Sequence, residues 1–285
     1  MAYELNRVHV NFDGRQVLKD ISCRIEEGKW ISIIGPSGAG KSTFAKALKG
    51  LIPDAIGEFR ENGQPVSRDG KGRIKVRQDI GFVFQYPEHQ IFETSVYREL
   101  AFALKIRGLP ADEIRKAIED ILPRVGLEAG ILDSAPFQLS GGQKRRVAIA
   151  AVLLTEPRML IMDEPTAGLD PWSRTELLYM LKAWQIKNRT VLFISHQMDD
   201  VAEYSDEVMV FHQGRLLAHV DVIATFLGPD GSLQEAGLPL PEPVQALRFM
   251  EELSGVPIAV KSVRERDLFE GVRSLLESRS LAYER

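Results

Sequence analysis

Gly35-Pro-Ser-Gly-Ala-Gly-Lys-Ser42 sets three glycines, a lysine and a hydroxyl at the spacing Gly-x-x-x-x-Gly-Lys-Ser. Glycines let a backbone curl until several N–H groups face one anion. Trp30-Ile-Ser-Ile-Ile34 before it reads as a short buried strand, and the residues after it read as a helix. That is the context in which such a loop cradles phosphates. The helix N-terminus adds partial positive charge. Lys41 is placed to reach the β- and γ-phosphates, and the Ser42 hydroxyl to bind Mg²⁺.

Further on, Leu160-Ile-Met-Asp163-Glu164 is an apolar strand ending in two carboxylates. A carboxylate emerging from a core is costly unless a cation or a partner meets it. Beside a phosphate loop, Asp163 is placed to hold Mg²⁺ through its water shell, and Glu164 to polarise a water attacking the γ-phosphate. Between these two motifs lies Leu139-Ser-Gly-Gly-Gln-Lys-Arg-Arg146. Ser140 and Gln143 form the Ser-x-x-Gln pattern of a capping box. Gly141 and Gly142 each cost the following helix about 1 kcal/mol relative to alanine, so stability does not select them. They leave the amides of the helix start bare for a phosphate. Capping and phosphate contact are compatible.

The elements that must position these groups follow from pattern. Residues 3–12 and 17–26 read as strands around the turn Asp13-Gly14. A helix is expected over 41–51, and short strands with glycine-rich turns over 57–83, closing on Ile80-Gly-Phe-Val-Phe84. Residues 95–126 are helical by pattern, with a second helix from 112 to near 126; a further helix covers 140–155. Strand and helix then alternate over 159–162, 171–186, 190–194, 198–204 and 208–211, which implies a parallel sheet flanked by helices. The texture changes around Pro229. Gly228-Pro-Asp-Gly231 and Pro239-Leu-Pro-Glu-Pro243 are linker-like, and helices at 244–254 and 267–279 follow. The expected division is therefore 1–228, with a helical part at about 86–156, and a small extension at 229–285.

The chain of 285 residues has a net charge of −4, which supplies no basic footprint for nucleic acid. Its basic runs, Lys71-Gly-Arg-Ile-Lys-Val-Arg77 and Lys144-Arg-Arg146, read as solvated loops and helix faces. The single cysteine, Cys23, alternates with Ile21 and Ile25 and is expected as a small core residue, a usage that fits a reducing cytoplasm. The start lacks the apolar stretch of a signal peptide, and no apolar run approaches the ~20 residues of a membrane span. Service to a membrane therefore implies a membrane partner. His9, His89, His212 and His219 show no metal-ligand spacing.

The ordered motifs over about residues 3–228 resemble the ATP-binding cassette ATPases, the motors of ABC transporters. The implied fold is α/β: a phosphate-loop ATPase with an N-terminal antiparallel β part, a helical signature part and a C-terminal extension. Gly35, Pro36, Ser37, Gly38, Ala39, Gly40, Lys41 and Ser42, with Thr43, resemble the Walker A loop. Met159 to Asp163 resembles Walker B, and Glu164 the catalytic glutamate. Leu139 to Gln143 resembles the family signature. Gln85, after Gly81-Phe-Val-Phe84, resembles the glutamine that senses Mg²⁺ and the attacking water. Ala167-Gly-Leu-Asp170 resembles the D-loop, although Asp170-Pro171 also reads as a helix cap. His196, after Val191-Leu-Phe-Ile-Ser195, resembles the switch histidine at the γ-phosphate. The family places an aromatic platform for adenine near the end of its first strand, where this chain has Phe12, with Val17 able to pack beneath the base. The resemblance implies ATP and Mg²⁺ bound between two copies, the signature of one closing on the Walker A loop of the other.

Phe84-Gln-Tyr-Pro-Glu-His-Gln-Ile-Phe-Glu-Thr-Ser-Val-Tyr-Arg-Glu-Leu-Ala-Phe-Ala-Leu104 is similar to the energy-coupling-factor transporter ATPases, including the related cobalt and nickel importers. Ser95, between Thr94 and Val96, is an insertion relative to their pattern. The resemblance implies a homo- or heterodimer with a second ATPase on the cytoplasmic face of a membrane. It also implies a transmembrane scaffold docked near this segment, and a separate membrane protein that captures a vitamin or transition-metal ion. The ATPase itself touches neither that substrate nor nucleic acid. In that family a C-terminal extension joins the two ATPases. The other readings are an ATPase of another ABC transporter class and a non-transport dimeriser of the same superfamily.

Overall fold

Asp13 and Gly14 both take positive φ, +46° and +77°, as a two-residue hairpin turn demands. The turn joins β1 (Ala2–Phe12) to β2 (Arg15–Glu26), with Phe12 opposite Arg15. The computed structural model describes residues 2–186, 188–229 and 231–283. Met1, Lys187, Asp230 of the linker-like turn and residues 284–285 of the extension lie outside the described residues.

The remaining elements are β3 (Trp30–Ile34), α1 (Lys41–Lys49), β4 (Ile56–Glu61), β5 (Gln64–Pro65), β6 (Ile80–Val83), α2 (Val96–Ile106), α3 (Ala111–Ile121), α4 (Gly141–Leu153), β7 (Met159–Asp163), α5 (Pro171–Gln185), β8 (Thr190–Ile194), α6 (Met198–Tyr204), β9 (Glu207–His212), β10 (Arg215–Asp221), α7 (Val222–Leu227), α8 (Ser232–Glu235), α9 (Glu242–Ser254) and α10 (Glu265–Tyr283). Two sheets result: an antiparallel one in the order β2-β1-β4-β5, and a six-stranded one in the order β10-β9-β3-β8-β7-β6. In the larger sheet only β10 is antiparallel to its neighbour.

Every residue of β3, β6, β7 and β8 is buried. A parallel sheet covered on both faces needs such continuous apolar runs. Successive side chains go to opposite faces. Ile31, Ile80, Ile161 and Leu192 pack with α1 and the antiparallel sheet, whereas Val83, Leu160, Val191 and Phe193 pack with α2 to α5. A third apolar cluster at the β9 edge takes in Val244, Leu247 and Leu268, so the C-terminal helices α9 and α10 pack onto the sheet rather than trailing from it.

Differences from the sequence expectations are local. The helix expected from 112 to near 126 stops at Ile121 and continues as a 3₁₀ turn, Pro123–Val125, because Pro123 lacks an amide N–H. β10 and α7 were not expected. β10 is mostly half-buried and lacks a clean two-residue alternation, and α7 is only six residues long. Cys23 is half-buried between fully buried Ile21 and Ile25, and burial pushes its thiol up to about 12.

Candidate functional site

The parallel strands end in register. Ile33 and Asp163 both pair with Ile194, and Val83 pairs with Met162. The segments leaving the C-terminal ends of β3, β6, β7 and β8 therefore meet at one edge, where open α/β sheets bind ligands.

The loop between β3 and α1 curls through three glycines at positive φ: Gly35 (+151°), Gly38 (+77°) and Gly40 (+102°). Its floor is closed. A Cβ on Gly35 would stand 2.2 Å from the Phe211 carbonyl oxygen, and one on Gly40 would stand 3.2 Å from that of Val17. Ala39 is buried in this floor, Pro36 is half-buried, and Ser37 and Gly38 are exposed at the rim. Lys41 opens α1, and its amine donates to the carbonyls of Gly35 (2.7 Å) and Pro36 (3.0 Å). Burial holds the Lys41 amine below its ordinary pKa, against the pull of the Glu164 and Asp163 charges. Thr43 is half-buried in the first turn of the same helix.

One residue after Lys41, the Ser42 hydroxyl donates to Oδ1 of Asp163 at 2.9 Å. Burial pushes the Asp163 carboxyl up, although the Ser42 bond and the charges of Lys46 and Lys41 oppose it. A hydroxyl and a carboxylate in contact, beside a curled amide loop, form a hard-oxygen set that fits Mg²⁺ and a polyphosphate. Glu164 follows at φ +50°, a conformation that costs a non-glycine residue about 1 kcal/mol. Its amide donates to the Ile194 carbonyl at 3.1 Å. Its carboxylate is gripped on both sides: Gln85 Nε2 donates to Oε2 at 3.1 Å, and His196 Nε2 lies 2.8 Å from Oε1.

The signature and Asp170 present themselves differently. Ser140 Oγ accepts from the Gln143 amide at 3.2 Å, and Gln143 Oε1 accepts from the Ser140 amide at 2.9 Å, a complete capping box on α4. Ser140, Gly141 and Gly142 are exposed, and a Cβ on either glycine would meet nothing within 4 Å. Asp170 caps α5, accepting from the Ser173 amide at 3.0 Å; hydrogen bonds from the Ser173 side chain and then from its amide hold the carboxyl below the ordinary range. Phe12 is 47% exposed at the tip of the first hairpin. Val17 is half-buried, its carbonyl against the phosphate loop.

Several anchoring residues escaped the sequence reading. The run Lys144-Arg-Arg146 is not a solvated face: Arg145 is buried and Arg146 half-buried. Arg145 pairs with both carboxylate oxygens of Glu88, at 2.9 and 3.1 Å, and its Nη1 donates to the carbonyls of Pro165 (3.0 Å) and Ala167 (2.9 Å). Burial raises the Glu88 carboxyl, but the Arg145 bonds and charge outweigh it and leave the group below its ordinary value. Arg146 reaches the Val125 carbonyl (2.9 Å) and Glu176 (2.5 Å). Arg77, at the end of the other basic run, is buried against the Tyr3 ring. Arg145 and Arg146 lie 57 and 30 positions from their carboxylates, and Arg77 lies far in sequence from Tyr3, so only the fold shows that these cations are fixed. Behind His196, Arg174 grips Asp200 through Nε at 2.8 and 3.0 Å.

A curled phosphate loop at the end of a parallel strand, with a serine and two acidic residues beside it, defines the class of phosphate-loop nucleotide-binding proteins. Comparison with known proteins is more specific. Residues 18–167 match the family model described as "ABC transporter". The chain is 40% identical over 239 residues to the "Energy-coupling factor transporter ATP-binding protein EcfA2" of Acetivibrio thermocellus, covering 84% of each chain. It is 36% identical over 266 residues to the protein of that name from Bacillus subtilis, covering 92% of this chain and 96% of the other. Among solved structures it is similar to cbiO1 from Clostridium perfringens, described as part of the ABC transporter complex cbiONQ. There the identity is 35% and the TM-score 0.72, over 86% of this chain and 98% of that one. The chain belongs to the ABC transporter family and is one of its ATPases. No helix among the described residues is long and apolar enough to cross a membrane.

Proposed function

We propose that this chain is the ATP-hydrolysing motor of an importer of the energy-coupling-factor type, working at the inner face of a membrane as one of a pair of ATPases. The observation that carries this reading is the Glu164 carboxylate, gripped between Gln85 and His196 one residue beyond Asp163. It is a carboxylate aimed and held at the open end of the sheet, next to a phosphate loop. The likeness to ATPases named for that transporter type supports the transport role.

In this scheme the amides from Gly35 to Gly40 and the Lys41 amine bind the phosphates of ATP. Thr43 and Pro36 to Ala39 shape the loop, and Phe12 stacks on adenine with Val17 beneath. Ser42 and Asp163, with Gln85, would hold Mg²⁺, which when bound neutralises charge on the β- and γ-phosphate oxygens. Glu164 orients the attacking water and takes its proton. His196 contacts the γ-phosphate and keeps Glu164 in place. Ser140, Gly141, Gly142, Gln143 and Asp170 serve the other copy's nucleotide across the seam. Hydrolysis removes the bridging phosphate, so the pair opens; the two states differ in contacts that only ATP makes. A transmembrane scaffold and a substrate-capturing membrane protein complete the transporter. Residues 229–285 are read as the extension that joins the two ATPases.

Affinity purification of the tagged full-length chain from detergent-solubilised membranes tests the reading. A co-purifying multi-span scaffold, with ATP turnover that vanishes in Lys41→Ala, is expected. Recovery with ribosomes or DNA and no membrane protein, or undiminished hydrolysis by Lys41→Ala, overturns it.

A further inference from the structure

We propose that Arg145 is a positioning residue for ATP hydrolysis, acting through the backbone of residues 165–167 on Glu164 and Asp170, with Glu88 holding its guanidinium. The proposal rests on the reading of Glu164 given above. Arg145 sits one turn into α4, four residues after Gly141. Its Nη1 bonds the carbonyls of Pro165 and Ala167, which lie between Glu164 and Asp170 in the chain. Its other nitrogens engage both oxygens of Glu88, three residues after Gln85.

Gln85 bonds the Glu164 side chain directly. The segment after β6 thus reaches Glu164 twice: at the carboxylate through Gln85, and at the following carbonyl through Glu88 and Arg145. The two routes close a ring, so a shift of residues 85–88 moves the carboxylate and its backbone together. The same guanidinium ties the start of the signature helix into that ring. An Arg–carboxylate pair fixed at two points transmits direction as well as charge. A buried ion pair is weak evidence for a purely stabilising role, because apolar replacement of the whole pair is often neutral or stabilising.

The test uses the full-length chain in its assembled pair, with Arg145→Lys, Glu88→Gln and the double variant. Lysine keeps the charge but cannot span two carbonyls and a carboxylate at once. Steady-state kinetics should show kcat lowered about tenfold or more in each single variant, with the KM for ATP within about twofold, because misplacing a reacting group costs rate rather than substrate affinity. The double variant should be no worse than the more impaired single, as expected for two residues acting as one device. Should Arg145→Lys not fold, Glu88→Gln alone carries the comparison. Single variants with kcat within about twofold of wild type, losses that multiply in the double, or KM rising in step with the fall in kcat each overturn the proposal. Hydrolysis persisting in Lys41→Ala instead indicts the site assignment beneath it, so the two failures are separable.

Discussion

His196 Nε2 lies 2.8 Å from Oε1 of Glu164, although the two residues leave different strands, β8 and β7. The contact exists because those strands are parallel neighbours in register, Asp163 beside Ile194. A carboxylate so held has little freedom left to lose when a reaction begins, which is the advantage of preorganisation.

Glu164→Gln should preserve this arrangement, since an amide can still face both Gln85 and His196. It removes the proton acceptor. ATP hydrolysis is expected to fall by about 10²-fold or more, the scale of a lost general base. ATP binding should persist, and the pair should stay closed on ATP. Sedimentation velocity with ATP and the partner ATPase present reads this directly; a variant that remains monomeric there contradicts the scheme.

Two glycines of the phosphate loop should respond unequally to alanine. At Gly35 a Cβ would stand 2.2 Å from the Phe211 carbonyl, a clash with backbone on the neighbouring strand β9. At Gly38 nothing lies within 4 Å, and only the φ of +77° resists. Gly35→Ala should therefore destabilise the fold by about 2 kcal/mol or more, as overpacking does, and Gly38→Ala by about 1 kcal/mol. Thermal melts without nucleotide separate them. Equal losses would mean that the floor of the loop is softer than the geometry implies.

Much of this was legible in the residues themselves. Asp13-Gly14 announced a hairpin because few side chains tolerate two positive φ values in succession. The runs of β3, β7 and β8 announced buried strands because both faces are covered. The motifs assigned Gln85, Glu164 and His196 separate roles; that Gln85 and His196 meet on the Glu164 carboxylate is geometry only the fold shows. Arg145 was not legible. A buried cation and a solvated one are written with the same residue, and Glu88 lies 57 positions away. β10 escaped for a related reason: its half-buried residues show no clean alternation.

Glu88 also makes a statement about acid. Arg145 keeps its folded pKa below the ordinary value of 4.5, so the carboxylate binds protons more weakly folded than unfolded. Its contribution to stability is therefore complete above about pH 4.5 and drains away as pH falls through the lower folded value. The melting-temperature gap between wild type and Glu88→Gln should be constant from about pH 6 to 8 and should narrow below about 4.5. A gap that widens on acidification would show that the pair is not ionic in the folded state.

Gly141 and Gly142 offer a test in which stability and function part company. Both lie in the first turn of α4, exposed, and a methyl group on either would touch nothing of its own chain within 4 Å. Alanine is the better helix former by up to about 1 kcal/mol per position. Gly141→Ala and Gly142→Ala should therefore melt at or above the wild-type temperature. If these amides meet the other copy's phosphates, each methyl intrudes where only a bare backbone fits, and ATP-driven closure should weaken about tenfold or more, the cost of losing hydrogen bonds to a charged group. Sedimentation in the Glu164→Gln background reads that closure without turnover. Tighter folding with weaker closure is the expected pair of results. A Gly142→Ala protein that closes as readily as its parent would leave the two glycines without a role at the seam.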